Sequence, residues 1–63
     1  MSNLSIYDTL NQFKEQWERV PQMRFMQVIS NFQHHYQKDG FFLENDRFLE
    51  MLTAYIDELK GEN

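Results

Sequence analysis

Apolar side chains recur along this chain at helical spacing in three separate runs. In the first, Ile6, Leu10, Phe13 and Trp17 stand four, three and four apart, the repeat of one face of an α-helix. Asp8, Asn11, Glu15 and Glu18 fall on the other side. Ser5, three residues before Asp8, is the expected N-cap in a weak form of the capping box. Met1–Leu4 is expected to fray. In the second run Phe25, Val28, Ile29, Phe32 and Tyr36 form the stripe, opposite Arg24, Gln27, Asn31 and His35. In the third, Phe48, Leu49, Leu52, Tyr55, Ile56 and Leu59 face inward, while Asp46, Glu50, Thr53 and Asp57 face water.

The breaks between runs are set by backbone chemistry. Pro21 pushes Val20 out of the α region. Pro21 itself suits the first turn of a helix, where a missing N–H costs nothing. A sharp corner is therefore expected at Val20-Pro21, with the second helix beginning at the proline. Gly40 is the expected left-handed residue after that helix. Phe41-Phe42-Leu43 reads as a linker tucked into the core, and Asn45 or Asp46 as the cap of the third helix. The prediction is an all-α three-helix bundle in one domain, with helices at about 5–19, 21–39 and 45–60. The middle helix is expected to be the central one.

Size makes the packing matter. A chain of 63 residues buries little of its surface, and with no cysteine it has no disulfide to compensate. Six Phe, three Tyr and one Trp, 16% of the chain, supply the buried area instead. Ten acidic residues against six Lys and Arg give a net charge of −4. That balance argues against direct binding of nucleic acid, which needs a basic stripe. No stretch approaches the ~18 apolar residues of a membrane span. The first basic residue is Lys14, so no signal-peptide n-region is expected, and a cytoplasmic protein fits.

From Trp17 to about Leu52 the residues Trp17, Pro21, Arg24, Phe25, Gln27 and Asn31, then Asp39, Phe41, Phe42, Glu44 and Asn45, form two blocks. They read Trp-x3-Pro-x2-Arg-Phe-x-Gln-x3-Asn and Asp-x-Phe-Phe-x-Glu-Asn. This resembles a family of short, uncharacterised bacterial and phage proteins, over about half of the chain. The resemblance implies a small helical fold and a bacterial or phage origin, and no mechanism. The family more often carries Tyr where Phe42 stands.

No catalytic residues, cofactor or metal site are expected. His34 and His35 are adjacent on a helix and diverge by about 100°, so they cannot share one ion from a regular helix. Ser30 lies four residues before His34, but a chain this short has no room for a large reaction pocket. The candidate sites are surfaces. Arg24, Gln27 and Asn31 put a guanidinium and two amides on one helix side, able to grip a carboxylate, a phosphate or peptide backbone. They have a structural reading too: Arg24 holding Glu44 or Asp46, and Asn31 tying down the Phe41–Leu43 backbone. Met23 and Met26 lie off the apolar stripe, as adaptable contact residues. Tyr7 and Met51 sit on the flanks of their helices. Asp46, Glu50 and Asp57, with Glu58 beside them, form an acidic side.

The expected function is non-enzymatic binding of another protein, with a homodimer as one form of it. The alternative is a phage-type inhibitor, a nucleic-acid mimic that blocks a DNA- or RNA-binding protein through its acidic side.

Overall fold

In a computed structural model of the chain, residues 4–37 and 43–61 are described. They form three helices, α1 (Ile6–Glu18), α2 (Phe25–Tyr36) and α3 (Asn45–Leu59), with no strand among the described residues. The fold is an all-α three-helix bundle.

Ser5 starts α1 as its sequence position implies. Its hydroxyl accepts the Asp8 N–H at 3.0 Å, meeting one of the donors a helix N-terminus leaves open. Leu4, expected to fray, packs against the core; residues 1–3 lie outside the described residues.

The corner after α1 differs from its expected form. Pro21 does not open α2. The Met23 N–H donates to the Val20 carbonyl at 3.0 Å, closing a turn with Pro21 in its second position, where a fixed φ is equally welcome. The Trp17 indole Nε1–H then donates to the Met23 carbonyl at 2.6 Å. Helix α2 then starts at Phe25, two residues beyond that carbonyl. Val20 and Met23 turn inward as a result, at 3% and 9% exposure. Met23, expected as an exposed contact residue, is a core residue because it belongs to this turn. Arg24 becomes the N-cap of α2, and the Gln27 Oε1 accepts its backbone N–H at 3.4 Å.

At its far end α2 stops three residues short of the expected boundary. Gln37 takes the left-handed conformation, φ 55° and ψ 41°, and its N–H returns to the His34 carbonyl at 3.2 Å. The expected left-handed Gly40 and the expected Phe41-Phe42 plug lie outside the described residues; Leu43 packs against the core. A side chain with a Cβ is strained in that conformation. Replacing Gln37 with Gly is therefore expected to raise stability by about 0.5–1 kcal/mol, read as a higher midpoint in thermal melting. A lowered midpoint would mean that the Gln37 side chain holds something the backbone conformation does not reveal.

Helix α3 is capped by Glu44 rather than by Asn45 or Asp46, and without a side-chain cap bond. Asp46 sits in the first turn, where the helix dipole favours an anion, and its Oδ1 accepts the Arg47 N–H at 2.8 Å.

Helix α3, not the middle helix, is central. It supplies five of the buried apolar residues: Leu49, Met51, Leu52, Tyr55 and Ile56. Helix α2 supplies Val28 and Phe32, and α1 only Phe13. Met51, placed on a flank by periodicity, is 9% exposed, and its carbonyl accepts the Tyr36 hydroxyl at 2.9 Å. Rings knit the layers together. Phe32 meets Phe48 edge-on at 5.1 Å, and Phe13 meets Phe25 edge-on at 5.7 Å. Both α1 and α2 pack on α3, while α1 and α2 meet one another chiefly where the corner brings Phe13 and Trp17 against Phe25.

Candidate binding surfaces

The polar stripe of α2 divides on folding. Gln27 and Asn31, one turn apart, line a shallow groove of ≈ 330 Å³ with Val20, Gln22, Met23, Tyr55, Leu59 and Lys60. The floor is apolar and three amides, Gln22, Gln27 and Asn31, line the groove with it. Arg24 is absent from that lining. It is exposed at the N-cap, and among the described residues no ion pair joins it to Glu44 or Asp46. The structural clasp expected of Arg24 is therefore not formed, because the cap position starts α2 away from the first turn of α3. Asn31 is exposed on the groove rim.

The acidic side divides as well. Asp46 and Glu50 border a depression of ≈ 290 Å³ with Leu4, Gln12, Leu49 and Thr53. Glu50 is held closely by Arg47 one turn earlier. Asp57 is not a free surface charge. Arg19 Nη2 reaches its Oδ1 at 2.6 Å, and Arg19 Nη1 donates to the Gln16 Oε1 at 2.8 Å. Lys60 Nζ donates to the Arg19 carbonyl at 2.8 Å, so the same end of α1 is tied to α3 twice. The Arg19 fork thus bridges α1 and α3.

His35 packs its ring on Tyr36 and Tyr55, with centroids 4.7 and 4.8 Å apart, and its Nε2 stands 3.2 Å from Glu58 Oε2. His34 is exposed. Among the described residues no group of three His, Cys, Asp or Glu stands in a metal-binding arrangement. Burial pushes the Tyr55 phenol above its usual range. Tyr36 is raised too, first by burial and then by Glu58, with Arg47 opposing.

The surface that periodicity alone did not reveal lies between α1 and α2. Ile6, Leu10, Phe25 and Met26 are 77%, 62%, 47% and 65% exposed, and Tyr7 is 74% exposed. Ile6, Tyr7 and Leu10 share one side of α1 by their spacing of three and four; Phe25 and Met26 flank Ile29 in the same way on α2. Leu10, Phe25 and Ile29 meet at a depression of ≈ 160 Å³ whose other walls are Thr9, Phe13 and Phe48. Two amphipathic helices thus turn part of their apolar faces toward a valley that α3 lines only through Phe48 among the described residues. The sequence signal was present in Ile6 and Leu10, but it was assigned to the core. Met26 is exposed as expected, and it belongs to this face.

No helix among the described residues is long and apolar enough to cross a membrane. No protein-family model matches the chain, and neither does any curated protein or solved structure.

Proposed function

We propose that this chain works without catalysis, by binding another protein through the apolar face between α1 and α2. One observation carries the reading: five large apolar side chains of α1 and α2 stand 47–77% exposed, and two of them, Leu10 and Phe25, line an apolar depression. Single exposed apolar residues are ordinary on a protein surface, but a contiguous patch marks a contact site or an aggregation hazard. Net charge of −4 and the absence of a basic stripe weigh against nucleic acid as the direct partner. The resemblance to short bacterial and phage proteins supports a bacterial or phage origin, and a cytoplasmic setting goes with it. Gln27 and Asn31, on the opposite groove, offer a secondary polar grip for the same kind of partner.

An inhibitor acting through the acidic side has less to draw on. Arg19 engages Asp57 and Arg47 engages Glu50, which leaves less free negative charge than the sequence count implies. Mimicry of a polyanion would weaken steeply with salt, whereas apolar pairing would not.

The test is capture from an extract of the native host with the parent chain, a Leu10→Glu variant and a Glu15→Gln variant. A partner held by the parent and by Glu15→Gln, and lost by Leu10→Glu, is the expected result. Equal capture by all three would remove the apolar face from consideration.

A further inference from the structure

We infer that the partner seated on the α1–α2 face is a second copy of this chain, docked about a two-fold axis. The inference rests on the assignment of that face as the contact surface and names its occupant.

Shape is the first argument. The face carries both halves of a self-complementary joint. Ile6 and Leu10, one turn apart, form a ridge on α1 that stands 77% and 62% exposed. Beside it lies the ≈ 160 Å³ depression lined by Thr9, Leu10, Phe13, Phe25, Ile29 and Phe48. A dry cavity of about 150 Å³ accepts a benzene-sized group, so this one is sized for a branched aliphatic side chain. Ridge and depression are adjacent on the same face. A two-fold axis between them lets each copy's ridge enter the other's depression, the isologous arrangement in which one patch serves both sides.

Charge is the second argument. Two chains of net charge −4 repel, so the face on which they meet must be the one poorest in acid. By helical spacing Asp8 and Glu15 lie on the side of α1 opposite Ile6. Asp46 and Glu50 border the separate depression shared with Leu4 and Gln12, and Asp57 is bound to Arg19. Beside Tyr7 on α1, Lys14 stands 3.9 Å from Glu18, an exposed ion pair that leaves this flank without net charge. A strongly basic partner would favour the α3 acids instead; an uncharged approach suits a copy.

Area is the third. At roughly 200 Å² for each fully exposed large side chain, an aromatic value, the five exposed residues offer up to roughly 600 Å² per copy. The pair would bury roughly 1,200 Å², the lower end of what specific interfaces use.

The experiment is sedimentation equilibrium of the full chain from low micromolar to near-millimolar concentration. Leu10→Glu, Met26→Glu and Glu15→Gln run alongside, each checked for parental helicity by circular dichroism. The expected result is a concentration-dependent rise to twice the chain mass. Glu15→Gln should match the parent, while Leu10→Glu and Met26→Glu each weaken association by at least about tenfold, since a carboxylate would be buried without a partner. Added salt should leave association unchanged or strengthen it. Should Leu10→Glu fail to fold, Met26→Glu on the other helix decides. A parent chain that stays monomeric throughout overturns the inference, as does a dimer that neither charged variant weakens. A monomer that still captures a different protein in a Leu10-dependent way removes the second copy and keeps the contact face. A monomer whose capture ignores Leu10 removes both.

Discussion

Replacing Phe32 with alanine is expected to leave the chain largely unfolded at room temperature. Phe32 is 1% exposed and joins α2 to α3 through rings at 5.0 Å on Tyr36 and 5.1 Å on Phe48. A buried Phe→Ala change costs about 3–5 kcal/mol, made of lost transfer energy and an unfilled cavity. At about 0.05–0.15 kcal/mol per residue, a chain of 63 residues has only about 3–9 kcal/mol to lose. The two figures overlap, so the substitution removes most of the margin. Far-UV circular dichroism should show weak helicity and no cooperative melt. A sharp transition within a few degrees of the parent would mean that the interior does not depend on this ring. The same change at Phe25, which is 47% exposed, should cost much less.

Trp17→Phe is expected to lower the melting midpoint by about 10 °C. The substitution keeps an aromatic ring against Phe13 and Phe25 and removes the indole N–H. That donor meets the Met23 carbonyl at 2.6 Å and holds the corner between α1 and α2. Losing one partner of a part-buried hydrogen bond costs about 1–3 kcal/mol. For a domain this small each kcal/mol moves the midpoint by about 4–8 °C. The loss should be local as well as global, with faster hydrogen exchange at the Met23 amide, which closes the turn on Val20. An unchanged midpoint would show that Pro21 and the turn bond of Met23 hold the corner without the indole.

That corner explains where the sequence was legible and where it was not. Three amphipathic repeats announced three helices, because the mixed spacing of four and three in Ile6, Leu10, Phe13 and Trp17, or in Leu49, Leu52 and Ile56, follows a helix face and not the alternation of a strand. Pro21 was ambiguous in kind. A proline serves equally at the first position of a helix and in the second position of a turn, and the Trp17–Met23 bond decides between them. Once the turn was misplaced, Met23 was assigned a helical direction it does not have. The acidic side failed for a related reason. Asp57 finds Arg19 across 38 residues of sequence, a pairing no local pattern contains.

The stripe on α1 failed in the most informative way. Periodicity says that Ile6 and Leu10 share a face with Phe13 and Trp17. It does not say how wide a face the rest of the chain is able to cover. With only two other helices, α3 covers the Phe13 side and α2 covers the Trp17 end. The remainder of the stripe opens onto the valley. Gln27 and Asn31 were legible as a polar pair, but their apolar floor of Met23, Tyr55 and Leu59 comes from two other segments and appears only on folding.

The hub position of α3 also fixes when the molecule comes into being. During synthesis the first two helices emerge with nothing to lean on, and short helices in water barely persist alone. The segment that gathers them emerges after both, and Lys60 reaches the Arg19 carbonyl only once α3 is out. Birth of the native state is thus held back until α3 has emerged, and any nascent chain stalled before its fiftieth residue would expose its rings to whatever chaperone or protease is near.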